Sequence, residues 1–197
     1  MEELLTLLAA GSLIPAISFL VKKLIIDKAF EVMEGEISIK DKNGKELKFI
    51  ARSNISNEDV KIIFEEELNF EAEVRKNINK FINVHNKINF ELSDGKYIDF
   101  LLSYDDKKIG IEAKSNASRF KAKWISDYFK ESSEIDELIM ILDSKIPESF
   151  LKEVANLDSS KKVKFISSPR GKGLAKSISN VLEADLGLNK ALHRTSR

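Results

Sequence analysis

Between Lys96 and Lys114 the chain reads KYIDFLLSYDDKKIGIEAK. Two apolar runs flank Asp105-Asp106, and runs this close in sequence pair as an antiparallel hairpin. With Asp105-Asp106 as a two-residue turn, Tyr104 opposes Lys107 and Asp99 lies directly across from Glu112. Directly opposed Cβ atoms stand about 5 Å apart. Strand alternation puts Glu112 and Lys114 on one face and Ile109, Ile111 and Ala113 on the other. A slip of one residue would exchange the faces. Two carboxylates held this close repel, and either a divalent cation between them or one shared proton relieves the repulsion. Lys114 adds a positive charge beside them. On an open sheet face the same three residues would be ordinary solvated side chains. The bare pattern acid-x-Lys carries no weight, since it occurs seven times in the chain. The copy at Glu112 alone closes an apolar strand that follows a strand with its own embedded acid.

The flanking sequence predicts the rest of the sheet. A helix is expected over 69–83, with Phe70, Val74, Ile78 and Phe81 on its apolar face. Strands are expected over 88–92, 96–104 and 108–114. A helix follows over 118–132, carrying Phe120, Trp124, Tyr128 and Phe129. Glu137–Leu142 (ELIMIL) reads as a central strand, buried on both faces. Further on come a helix over 147–157, a strand over 163–167 and a helix over 173–185. Three meandering strands followed by crossover strands make a mixed sheet with helices on both faces, an α/β (α+β) fold. Trp124 reads as core and His85 as an ordinary helix-end residue.

Two further segments precede this region. Leu4–Val21 contains no charge over 18 residues, and as a helix it would be about 27 Å long, close to a bilayer core. Acids lie before it and Lys22, Lys23 and Lys28 after it, which places the bulk of the chain in the cytoplasm. Residues 1–30 are therefore expected to be a membrane anchor through 4–26. The alternative is a buried or oligomerising helix on a cytoplasmic protein. A cleaved signal peptide fits poorly with the acidic Glu2-Glu3 start. Residues 36–68 then read as a β-hairpin–helix adaptor: two alternating runs joined at Asn43-Gly44, and a helix starting at Asn57-Glu58-Asp59. Residues 69–197 form the main domain.

Composition narrows the chemistry. Cysteine is absent and there are two histidines, which excludes thiolate metal sites, a cysteine nucleophile and a histidine-rich metal site. Any metal would need oxygen ligands, pointing to magnesium or manganese. Net charge is zero, which argues against a nonspecific nucleic-acid coat while leaving room for local basic patches. One such stretch runs from Lys161 to Lys176, with six basic residues and no acid. Its Ser168-Pro-Arg-Gly-Lys-Gly173 segment is glycine-poor beside a P-loop and reads as a basic loop.

Helix–strand–strand–strand–helix–strand, with Asp99 on the second strand and Glu112-x-Lys114 on the third, resembles the restriction-endonuclease-like PD-(D/E)xK superfamily. The resemblance covers about residues 69–168. Phe70-Glu71-x-x-Val74-x-x-x-Ile78 is similar to that superfamily's opening helix. Ile98 stands where a proline often precedes the aspartate. The resemblance implies an αβββαβ core and metal-dependent hydrolysis of phosphodiester bonds, with DNA ahead of RNA as substrate. Asp99, Glu112 and the Ala113 carbonyl would ligate Mg2+ or Mn2+, and Lys114 would orient the attacking water. Glu71 would ligate a second metal or hold a metal-bound water, with Glu73 as its substitute. Lys121 and Lys123 on the next helix, and Arg170 and Lys172 in the basic loop, are weaker candidates for phosphate contact. A membrane-tethered defence or DNA-processing nuclease is the leading expectation, with a homo-oligomer or protein partner open. The alternative is an inactive nuclease-like scaffold anchored by its first helix.

Overall fold

A computed structural model describes residues 35–40, 46–51, 56–158 and 162–187. Gly35–Lys40 (β1) and Glu46–Ala51 (β2) pair antiparallel, Ile37 opposite Phe49. Helix α1 follows over Asn57–Val84. Ser56 caps it: the hydroxyl accepts the Asp59 N–H at 3.1 Å, and the Asp59 carboxylate returns a bond to the Ser56 N–H. This reciprocal box meets donors that a helix start leaves open. Two helices were expected across this stretch, and a single helix of 28 residues is observed. The reason is a continuous buried stripe: Ile63, Phe64, Glu67, Phe70, Val74, Ile78 and Phe81 recur every three or four residues. That burial outweighs the modest helix preference of Asn69.

The main sheet has five strands in the order β3-β4-β5-β6-β7. They span Phe90–Asp94, Phe100–Tyr104, Lys107–Lys114, Glu137–Leu142 and Val163–Ser167. The first three form an antiparallel meander, and β6 and β7 join in parallel. The chain is thus a mixed α/β fold with a five-stranded mixed sheet and four helices among the described residues. The turn and register of the central hairpin are as expected, with Tyr104 opposite Lys107 and Phe100 opposite Ile111. Asp105 takes the left-handed conformation (φ 47°) that a tight hairpin turn demands.

Helices cover both faces of the sheet. Helix α1 and Leu174–Asp185 (α4) pack on the face carrying Phe100, Leu102, Ile109, Ile111, Ala113, Ile139 and Ile141. Lys123–Glu131 (α2) and Glu148–Ala155 (α3) cover the other face, meeting Leu138 and Met140 with Trp124, Ile125, Phe150 and Val154. Fully burying one such aliphatic or aromatic side chain contributes about 1.5–3 kcal/mol. Phe49 of β2 is buried and Ile50 packs against the second cluster, so the hairpin strand adds to the core beside α2. The helix expected from residue 118 starts later. A 3-10 turn, Ala117–Arg119, intervenes, held by the Asn116 side chain accepting the Ser118 N–H.

The membrane expectation is corrected here. Among the described residues no helix is long and apolar enough to cross a membrane. Helix α1, about 42 Å long at 1.5 Å per residue, has the length but carries a charged outer face, including Glu65, Glu66, Lys76 and Lys80. Residues 4–26, to which the anchor was assigned, lie outside the described residues.

Candidate active site

Asp99 lies one residue ahead of β4, at the end of a bend over 95–99. The Gly95 N–H donates to the Asp99 carbonyl across this bend at 3.4 Å. A Cβ on Gly95 would stand 2.4 Å from Ile98 Cγ1 and 2.6 Å from the Ile98 carbonyl oxygen, so only glycine lets the chain fold back here. The strand expected from residue 96 is therefore shorter, and Asp99 reaches its place through this bend.

Across the hairpin two bonds join Asp99 to β5. Asp99 Oδ2 accepts the Ala113 N–H at 2.8 Å, and the Asp99 N–H donates to Glu112 Oε2 at 3.1 Å. Glu112 Oε1 accepts the Tyr128 hydroxyl of α2 at 2.7 Å. The Lys114 ammonium lies 2.7 Å from the same oxygen and 4.0 Å from Asp99 Oδ2. Asp99, Glu112 and Lys114 are 2%, 3% and 1% exposed, so three ionisable groups share a nearly dry site.

Burial raises the Glu112 pKa to about 7, the Asp99 charge adds to the rise, and Lys114 and the Tyr128 hydroxyl oppose it. For Lys114, burial works against the ammonium. The charges of Glu112, Asp99, Glu67 and Glu71 outweigh it and hold the pKa above the ordinary lysine value. Lys114 thus remains charged at neutral pH, while Glu112 sits at the edge of protonation.

The ligand set expected for a metal is not assembled. Among the described residues no group of three or more Asp, Glu or His side chains is placed to hold a metal ion. The Glu112 and Asp99 oxygens are engaged by the Ala113 and Asp99 amides, Tyr128 and Lys114. Lys114 supplies the positive charge that a cation would have supplied. Glu71 is buried on α1 and acts on Lys114 through its charge without completing such a group. Glu73 is exposed and lies against the loop after β7, its Oε1 3.0 Å from where a Cβ on Gly171 would stand. Ala113 contributes its amide, fixed to Asp99.

The basic candidates lie around this end of the sheet. The Asp143 N–H donates to the Lys114 carbonyl, and the Ser168 N–H to the Leu142 carbonyl, so the loops after β5, β6 and β7 meet side by side. Arg170 (φ 60°) and Lys172 are exposed on the last of these, where the Gly171 N–H donates to Asp143 Oδ1 at 2.8 Å. Lys121 is half-buried ahead of α2, and Lys123 is exposed in its first turn. Trp124 is core, as expected, edge-on to Phe120. His85 closes α1, its ring centroid 4.3 Å from that of Phe81.

Sequence reasoning missed two residues. Tyr128 was read only as apolar helix face. Glu67 was read only as part of a helical spacing, yet it is fully buried and accepts both the Ser115 N–H (2.9 Å) and the Ser115 hydroxyl (2.6 Å). An acid in register with an apolar stripe was the signal available for Glu67. Comparison of the chain with family profiles, curated proteins and solved structures returns no match.

Proposed function

We propose that this chain is a phosphodiesterase of the PD-(D/E)xK nuclease kind, acting on nucleic acid, with DNA ahead of RNA. One observation carries the reading: Asp99, Glu112 and Lys114 converge, almost without solvent, at the end of the central strand of a mixed sheet. A chain that needed only stability would fill such a place with apolar side chains, because a buried ion pair seldom repays its desolvation. The order α1-β3-β4-β5-α2-β6, with an antiparallel meander and one parallel strand, supports an αβββαβ core.

In this reading Lys114 orients a water for attack on phosphorus and stabilises the negative charge that develops on the phosphoryl oxygens. Tyr128 and the Asp99 amide hold the Glu112 carboxylate in place. Asp99 and Glu112 are hard oxygen donors, with Glu112 near pKa 7 through burial first and the Asp99 charge second, and in this reading they would be the pair that holds Mg2+ or Mn2+. Magnesium is commonly held by one or two carboxylates together with substrate phosphate and water, so no third protein ligand is required. Held by these two carboxylates, a cation would supply polarisation of the phosphate and a lower pKa for a bound water. Arg170 and Lys172 at the same end of the sheet suit contact with the flanking backbone phosphates.

A second reading has its own observation. The carboxylate oxygens are already met by protein donors, and access to the three charges is almost closed. An inactive nuclease-like scaffold would look the same. Nicking of a supercoiled plasmid by the full chain separates the two. Cleavage that needs Mg2+, stops with EDTA and falls at least 100-fold in Lys114→Met is the expected result. A folded wild-type chain that neither cleaves DNA or RNA nor binds Mg2+ by calorimetry is the scaffold.

A further inference from the structure

Glu67 is the one carboxylate on the α1 stripe that is fully sealed from solvent. Both of its oxygens grip a single residue, Ser115, which directly follows Lys114. Arg119 Nη1 stands 3.9 Å from Glu67 Oε1, donates to the Ser115 hydroxyl at 3.3 Å and is anchored by Glu66 at 2.7 Å. A sealed carboxylate is costly unless its oxygens are satisfied, and here they are satisfied at the exit of the site strand.

We propose that Glu67 is a positioning residue for Lys114: by clamping the Ser115 amide and hydroxyl to α1, it fixes where β5 ends and so where the Lys114 ammonium stands against Glu112 and Asp99. Pairing with β4 stops at Ile111, and β6 carries the strand on to Lys114, opposite Leu142, so the last residues of β5 are held by one neighbouring strand only. The clamp adds a hold from a helix on the opposite face. The catalytic consequence rests on the proposed phosphodiesterase; the geometric part does not.

The test is a pair of double-mutant cycles on the full chain, read by urea unfolding. Glu67→Gln keeps the size and an acceptor for the Ser115 N–H while removing the charge. Ser115→Ala removes the hydroxyl and keeps the amide. Each is combined with Lys114→Met. We expect Glu67→Gln and Lys114→Met to be coupled at least tenfold in the unfolding equilibrium constant, and Ser115→Ala and Lys114→Met at least threefold. Should Glu67→Gln fail to fold, the Ser115 cycle decides alone. Effects that multiply independently to within twofold in the folded cycles overturn the proposal. In the nicking assay, Glu67→Gln should lower kcat at least tenfold with KM within twofold, and Glu65→Gln, exposed on the outer face of α1, should change neither beyond twofold. Coupling in a chain whose wild type cleaves nothing keeps the clamp and rejects the phosphodiesterase. Cleavage unaffected by Glu67→Gln keeps the phosphodiesterase and rejects the clamp.

Discussion

The two ends of strand β5 carry the same residue types in opposite surroundings. At its start, Lys108 pairs with Glu134 while 42% and 54% of the two side chains stay exposed. At its end, Lys114 pairs with Glu112 and Asp99 with almost nothing exposed. The first arrangement is the ordinary dressing of a sheet rim, worth little because water screens it. The second gives up the hydration of three charges and recovers it only through close geometry. The proposed phosphodiesterase rests on charge kept where it is expensive, and the contrast within one strand removes composition as an explanation.

The largest effect should come from removing the cation at the buried end. Lys114→Met keeps the volume but leaves two carboxylates facing each other in a dry site, which costs about 3–5 kcal/mol at pH 7. Urea unfolding measures it. The cost should shrink on acidification, because a protonated Glu112 no longer repels Asp99. A penalty under about 1 kcal/mol would place the buried end in the same class as the exposed one.

A smaller effect with a defined sign follows from Asp99→Asn. In the wild type the Glu112 pKa rises from 4.5 unfolded to about 7 folded. Between those values the folded state binds more protons, so this group makes stability fall as pH rises from about 4.5 to about 7, by roughly 1–3 kcal/mol. Asparagine still offers an oxygen to the Ala113 N–H but carries no charge. The fall should flatten, and stability at pH 7 should rise by about 1 kcal/mol while cleavage is lost. Unfolding midpoints from pH 4.5 to pH 8 test this, and an unchanged slope would mean that burial alone sets the Glu112 pKa.

What could be read from the sequence follows the local rules that dominate each element. The hairpin register was legible because Asp105-Asp106 permits few turns and alternation fixes the faces, so Tyr104 could be set against Lys107. The order of strands and helices was legible from periodicity. The bend at 95–99 was not, because it depends on how closely Gly95 approaches Ile98, a contact that no periodicity encodes. Helix α1 reads in the sequence as two helices meeting at Asn69, because the buried stripe from Ile63 to Phe81 that joins them is a tertiary feature. Glu67 was passed over for a related reason. Its partner Ser115 is 48 residues away, and only the packing of α1 on β5 brings them together. The candidate triad was therefore readable as a register argument, whereas the residues that hold it were not.

The smallest effect should be at the exposed end. Lys108→Ala removes the partner of Glu134 but leaves Glu134 half in water, so no charge is stranded. Double-mutant cycles on such pairs give about 0.2–1 kcal/mol, and the Lys108–Glu134 coupling should fall within that range. It should halve or vanish at 1 M salt, where the Debye length is about 3 Å. The Lys114–Glu112 coupling, closed to solvent ions, should keep most of its value at the same salt concentration. Measuring both couplings at low and high salt sets the two ends against each other in a single protein. Equal salt sensitivity would show that solvent reaches Lys114 and that the two ends of β5 hold their charges in the same way.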